Sequence, residues 1–203
     1  MQSEQQAGQT AESGMKSRQT NGGHELLDAD EAIGGVISTL EQFVLYEQHA
    51  QDQELLSIIQ RQKAYLSQLY NTIIDSLQTG LDPKTNVQKY AMANISEITY
   101  GLSPSQPKSP AQTVSEINDE CISSYIMGNL KSIASAFTTT ALETTNPVLR
   151  RIFADNIPNV IELAYEIFLY QNRKGYYQVA LLYEQEMQMI KNGYTPTQPN
   201  MSH

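Results

Sequence analysis

The sequence predicts an all-α protein: a four-helix bundle of two helical hairpins, with a long crossover between helices two and three and a short C-terminal helix. Three observations predict it. Apolar residues recur at three- and four-residue steps over four long stretches, the period of a helix that buries one face. Two helix-to-helix corners, at Asp52 and at Asn146-Pro147, each open a long periodic stretch that closes near a glycine, Gly80 or Gly175. Between the halves lies a segment, 80–113, that holds four of the eight prolines.

Residues 1–23 are rich in Gln, Ser, Gly and Thr with few apolar side chains. Such a stretch cannot offset the entropy of ordering and is expected to be a disordered tail. Helix one is predicted over 25–50, with Ile33, Val36, Ile37, Leu40 and Val44 as its buried stripe. Asp52 then caps helix two, 53–79, whose stripe is Leu55, Ile59, Leu66, Leu69, Ile73 and Leu77.

The crossover, 80–113, must join two helices that run in the same direction. About 27 residues of helix cover roughly 40 Å, which some 30 extended residues span with ease. Val87, Tyr90, Ile95 and Ile98 are expected to pack on the bundle wall, and SPSQPKSP to leave it as an extended, polyproline-like strand.

Helix three, 114–144, carries Ile122, Ile126, Leu130, Ile133, Phe137 and Ala141. Its small residues Gly128, Ser132, Ala134, Ser135 and Ala136 would admit a close neighbour. Asn146 supplies the cap of helix four, 147–174, and Pro147 fills the first position, where a missing N–H costs nothing. Leu149, Ile152, Val160, Leu163, Ile167 and Tyr170 line its inner face, and Pro158 frees the carbonyl of Ala154 and is expected to kink it. A short helix over 177–190 presents Val179, Leu182, Tyr183, Met187 and Ile190, and 192–203 is read as a frayed tail. Overlaying DQELLSII on NPVLRRIF matches Asp52 with Asn146, Leu55 with Leu149, Ile58 with Ile152 and Ile59 with Phe153. The two hairpins thus read as copies of one unit.

Composition narrows function. Thirteen basic against 22 acidic residues leave a net charge of −9, which argues against nucleic-acid partners, since phosphate binding needs a basic face. No apolar run approaches the ~20 residues of a membrane span, and there is no secretory leader pattern, so no membrane insertion is expected. Cys121 is the one cysteine, and it reads as a small core residue.

A bundle with this crossover has the ferritin-like arrangement, whose enzymes hold two metals on inward carboxylates and Glu-x-x-His motifs. The residues three before His24, His49 and His203 are Asn21, Tyr46 and Asn200, so the motif is absent. Glu41, Glu162 and Glu166 are the remaining carboxylates in apolar surroundings. They read as solvated or rim charges, or as partners of a cation such as Arg173. His49 fits the favourable C-terminal end of a helix dipole, and GGHELLDADE reads as a helix start and not a phosphate loop. No Walker or dinucleotide pattern occurs. No catalytic, cofactor-binding or metal-ligating residue is therefore assigned.

The segment ALETTNPVLRRIFADNIPNVIELAYEIFLYQNRKGYYQ, 141–178, resembles the spore coat protein F (Coat F) domain of endospore-forming bacteria. Its A-L-E-x-x-N-P-x-[LV]-R corner and terminal K-G-[YW]-Y are present as Ala141, Leu142, Glu143, Asn146, Pro147, Leu149, Arg150, Lys174, Gly175, Tyr176 and Tyr177. GGHELLDADE, DQELLSIIQRQ and YGLSPSQPK are similar to other parts of longer coat-F-like chains. The resemblance implies a ferritin-like fold without a metal centre and no cofactor. It implies a non-enzymatic structural or assembly role in the spore coat, after synthesis in the mother-cell cytoplasm, with other coat proteins as partners and self-association as an option. It also gives a purpose to 21 glutamines, eight lysines and 12 tyrosines, which coats can cross-link. Gln2, Gln5, Gln6, Gln9, Tyr176, Tyr177 and Tyr194 are then the expected exposed donors. The alternative from another class is a ferritin-like metal-binding oxidoreductase with an atypical carboxylate site.

Overall fold

Hydrogen-bonding needs at the helix ends dictate where the chain turns. In the computed structural model, which describes residues 22–93 and 97–197, α1 runs Gly23–His49, α2 Gln53–Thr79, α3 Asp119–Glu143, α4 Pro147–Arg173 and α5 Glu184–Asn192. The sequence expectations for 1–21 and 198–203, and for Ile95, lie outside the described residues.

The Asp52 side chain accepts from the Glu54 N–H, and that of Asn146 from the N–H groups of Val148 and Leu149. Both corners are therefore capped by a short polar side chain that satisfies orphan donors. Gly80 and Gly175 adopt φ of 70° and 75°, the left-handed conformation that lets a helix end abruptly.

α3 packs most extensively on α4, and the further pairs are α1 with α3, α1 with α2 and α2 with α4. Around the bundle the order is α1, α2, α4, α3. The N-terminus of α3 meets the α1–α2 corner, where Asp119 bonds Gln51 and Asp52. The C-terminal turn of α3 meets the start of α1, where the Thr140 hydroxyl donates to the Asp28 carbonyl. α2 and α3 are thus parallel, and 80–118 returns the chain along the whole bundle, the connectivity of ferritin-like folds.

Phe43, Phe137, Phe153, Leu55, Leu66, Leu69, Ile126, Leu130 and Leu163 are fully buried. Each such side chain contributes about 1.5–3 kcal/mol over its exposed state. Phe137 and Phe153 meet edge to face, ring centres 5.2 Å apart, across α3 and α4.

The burial pattern repeats between hairpins. The buried α1 residues Ala29, Ala32, Ile33, Val36, Thr39, Phe43 and Tyr46 correspond in step to Ser123, Ile126, Met127, Leu130, Ile133, Phe137 and Thr140 of α3. The same interval carries Leu55, Ile58, Ile59, Gln62, Leu66 and Leu69 of α2 onto Leu149, Ile152, Phe153, Asn156, Val160 and Leu163 of α4.

Several expectations are corrected. The α1 stripe is rotated: Ile37 and Val44 are 38% and 48% exposed, because Ala29, Ala32 and Thr39 face the core and let α2 and α3 come near. Gly128, Ser132 and Ser135 lie on the open side of α3, and a Cβ at Gly128 would meet nothing within 4 Å. Among the described residues no helix packs on that face.

α3 begins at Asp119, not 114. Val114–Glu116 form an isolated 3-10 turn, Ile117 is extended, and Asn118 caps α3 by accepting from the Cys121 N–H. Cys121 is half-buried at this first turn and is not a core residue.

The last helix begins at Glu184, not 177. Residues 176 and 177 turn back on the end of α4, and 177–179 are held along the crossover: the Asn172 amide brackets Thr99 and Tyr177, Gln178 accepts from the Ser103 N–H, and the Val179 carbonyl from that of Gly101. Tyr100 and Val179 form a single parallel bridge. α4 runs through Pro158, which sits on its exposed side.

Candidate functional site

A polar cluster gathers on Glu166, the one glutamate fully buried on α4. α2 brings Arg61 and Gln62 to it, and the crossover brings Tyr90 and the Ala93 N–H. Glu166 Oε1 accepts from Arg61 Nη2 at 2.7 Å and from Ala93 N at 3.2 Å. Its Oε2 accepts from the Tyr90 hydroxyl at 2.5 Å and from Gln62 Nε2 at 3.2 Å. A buried carboxylate is tolerated only when paired and hydrogen-bonded, and here four donors on two oxygens use its acceptor capacity. Burial, and next the neighbouring Glu166 carboxylate, push the Tyr90 hydroxyl far above its ordinary value. Burial opposes the charge of Arg61, but Glu166 and Tyr90 together outweigh it and raise the guanidinium.

A second tier continues this seam. The Tyr65 hydroxyl donates to Asn156 Oδ1 at 3.0 Å, Asn159 accepts from the Tyr90 N–H at 3.0 Å, and the Tyr65 and Tyr90 rings meet edge to face at 5.2 Å. Thr72 donates to the Thr85 carbonyl lower down. The α2–α4 face thus holds the first part of the crossover, from Thr85 to Ala93, and Lys108 pairs with Glu120 at the start of α3.

Two carboxylates close the ends. Glu25, 1% exposed, accepts from the Thr145 hydroxyl, the Thr145 and Asn146 N–H groups and the Gly22 N–H. Burial alone would raise this carboxyl, but these donors outweigh it and hold it below the usual range. At the other end Asp119 accepts from the Gln51 and Asp52 N–H groups at 2.9 and 3.1 Å. Asp52 in turn accepts from Lys174 Nζ at 2.6 Å and from the Tyr170 hydroxyl at 3.1 Å. The Lys174 ammonium is the main cause of its lowered pKa, ahead of opposing burial and the Glu54 N–H.

The carboxylates singled out in the sequence do not converge. Glu41 is exposed on α1, Glu162 is half-buried on α4, and Glu166 is neither solvated nor at a rim but saturated by Arg61 and its neighbours. Arg173 pairs with Glu54 instead. Among the described residues no three of His, Cys, Asp and Glu come together as metal ligands. With a guanidinium against Glu166, the residues present do not fit a di-metal centre. Sequence reasoning missed Arg61 and Gln62 and placed Tyr90 on the bundle wall without its carboxylate partner; within QRQK, Arg61 reads as one more solvated polar residue.

The KGYY end of α4 now has a physical account. Lys174 bridges to Asp52, Gly175 supplies the left-handed turn, Tyr176 packs on Tyr170 and Tyr177 on Phe168. The ALExxNP corner supplies the Asn146 cap and the backbone donors that Glu25 holds. Leu142, 81% exposed, has no part in it.

Fold and site together define a ferritin-like helical bundle whose buried charges hold its own corners and crossover. The Coat F domain family matches residues 118–180, from the α3 cap through the chain reversal after α4. The spore coat protein F-like protein YhcQ of Bacillus subtilis (strain 168) is 40% identical over 180 residues, 89% of this chain and 83% of that one. No solved structure gives a significant match. The chain belongs to the spore coat protein F family, which places it among proteins of the spore coat.

Proposed function

We propose that the chain is a non-enzymatic assembly component of the coat, working through contacts of its helix faces and projecting segments with other coat proteins. Large apolar side chains left outside carry this reading. Leu142 and Tyr183 are each 81% exposed and Tyr194 83%, whereas the buried carboxylates are occupied within the fold. Leu181, Leu182, Tyr183, Met189, Ile190 and Tyr194 concentrate such exposure on one short arm, and clustered exposed apolar surface supports a protein–protein contact role. No helix among the described residues is long and apolar enough to cross a membrane.

A fluorescent fusion expressed from the native promoter through sporulation tests the role. A late mother-cell signal forming a ring or cap on the forespore is expected; diffuse signal in vegetative cells would overturn it. Metal analysis of the purified protein addresses the oxidoreductase alternative, for which stoichiometric iron or manganese would be decisive. Tyr177 and Tyr194 are exposed while Tyr176 is half-buried, so cross-linked peptides from mature spores are expected to contain the former two.

A further inference from the structure

The C-terminal arm is an amphipathic helix without a floor. Tyr183, Met187, Ile190 and Tyr194 recur at helical spacing, none of the residues of α5 is buried, and Leu182 and Met189 beside them are 52% and 68% exposed. On the same molecule, an apolar groove of about 320 Å³ runs between α3 and α4. Ala134, Ile161, Ala164, Tyr165, Phe168 and Tyr177 line it, and Lys131 is its one charged lining residue.

We infer that α5 of one copy seats in the α3–α4 groove of a second copy. Length, chemistry and charge agree. Val160 to Phe168 spans about 12 Å of helix axis and the nine residues of α5 about 13 Å. The apolar stripe of α5, exposed at Tyr183, Ile190 and Tyr194 and half-buried at Met187, meets an apolar groove. Its first turn carries Glu184 and Glu186, opposite in sign to the exposed Lys131. The arm leaves its own bundle from a root pinned to the crossover at Gln178 and Val179, directly after Tyr177, which closes one end of the groove.

An arm that enters a different surface of its neighbour is a heterologous contact, which propagates into an open chain or closes into a ring. Each single contact is small and weak, and repetition supplies the strength. This deepens the assembly role proposed above and rests on it only for its biological setting.

Light scattering of the purified full chain over a range of concentrations is the test, with circular dichroism to confirm folding. Mass is expected to rise with concentration. The arm variant M187E/I190E and the groove variant I161E should each be monomeric and folded, since Ile161 and Ile190 are 53% and 55% exposed. Mixing the two should yield a one-to-one dimer and nothing larger, because one intact arm meets one intact groove. The exchange K131E should weaken association at least tenfold, and E184K/E186K should restore it.

Association that survives in either variant overturns the inference. So does a monomer whose arm is protected from hydrogen exchange, which would put α5 in its own groove. A monomer with an unprotected arm would leave the groove to a different protein and overturn it equally. Forespore localisation of the M187E/I190E fusion separates the two proposals: it reports the coat role even where self-association fails.

Discussion

Glu25 and Asp119 hold each other's hairpins by the same bond. Glu25, at the start of α1, accepts from the backbone of Thr145 and Asn146 at the α3–α4 corner; Asp119, at the start of α3, accepts from that of Gln51 and Asp52 at the α1–α2 corner. The two carboxylates stand 94 positions apart (119 − 25), as do the two capping residues (146 − 52). The repeat is therefore a reciprocal clamp in which each hairpin satisfies the other's orphan donors.

E25Q is expected to destabilise the fold by about 1.5–3 kcal/mol, the range for hydrogen bonds to a charged group. D119N, on a half-buried group, should cost about 1 kcal/mol. Urea unfolding followed by circular dichroism measures both; no change in the Glu25 variant would refute the clamp.

Acid should weaken the wild-type fold through Glu25 and Asp52. Both carboxyls are held below their ordinary values, so the folded state binds fewer protons than the unfolded one. Their stabilisation is complete above about pH 4.3 and is lost as pH falls through the lower folded values. The acid limb of a stability profile should flatten in E25Q.

The Glu166 seam should respond asymmetrically. The Glu166 side chain is 4% exposed and that of Arg61 28%, so R61M strands a buried anion and should cost about 3–5 kcal/mol. E166Q leaves a cation that can turn to water, and should cost less. Y90F should leave the bundle folded but speed proteolysis within the crossover. Equal losses in the two charge variants would refute this account.

Glycine substitutions should split in sign. G175A forces a left-handed residue to carry a Cβ and is expected to cost about 1 kcal/mol. G34A and G128A sit in helix interiors where a Cβ meets nothing within 4 Å, and each should add about 0.5–1 kcal/mol. Thermal melts of the three variants decide it.

The sequence carries the helices, the corner caps at Asp52 and Asn146, the existence of the crossover and the hairpin repeat. Helical period, capping and left-handed glycines are short-range properties, written within a few residues of where they act. It misread the face of α1, where alanines and Thr39 replace large apolar residues, and the starts of α3 and α5, where Asn118 and the Asn172 bracket outweigh apolar spacing. Only the tertiary structure paired Glu25 with Thr145, Asp119 with Gln51, and Glu166 with Arg61 and Tyr90. Those partners lie far apart along the chain, and a glutamate that will be buried looks, in its local sequence, the same as one that will face water. What distinguishes them is the donors that packing brings within reach.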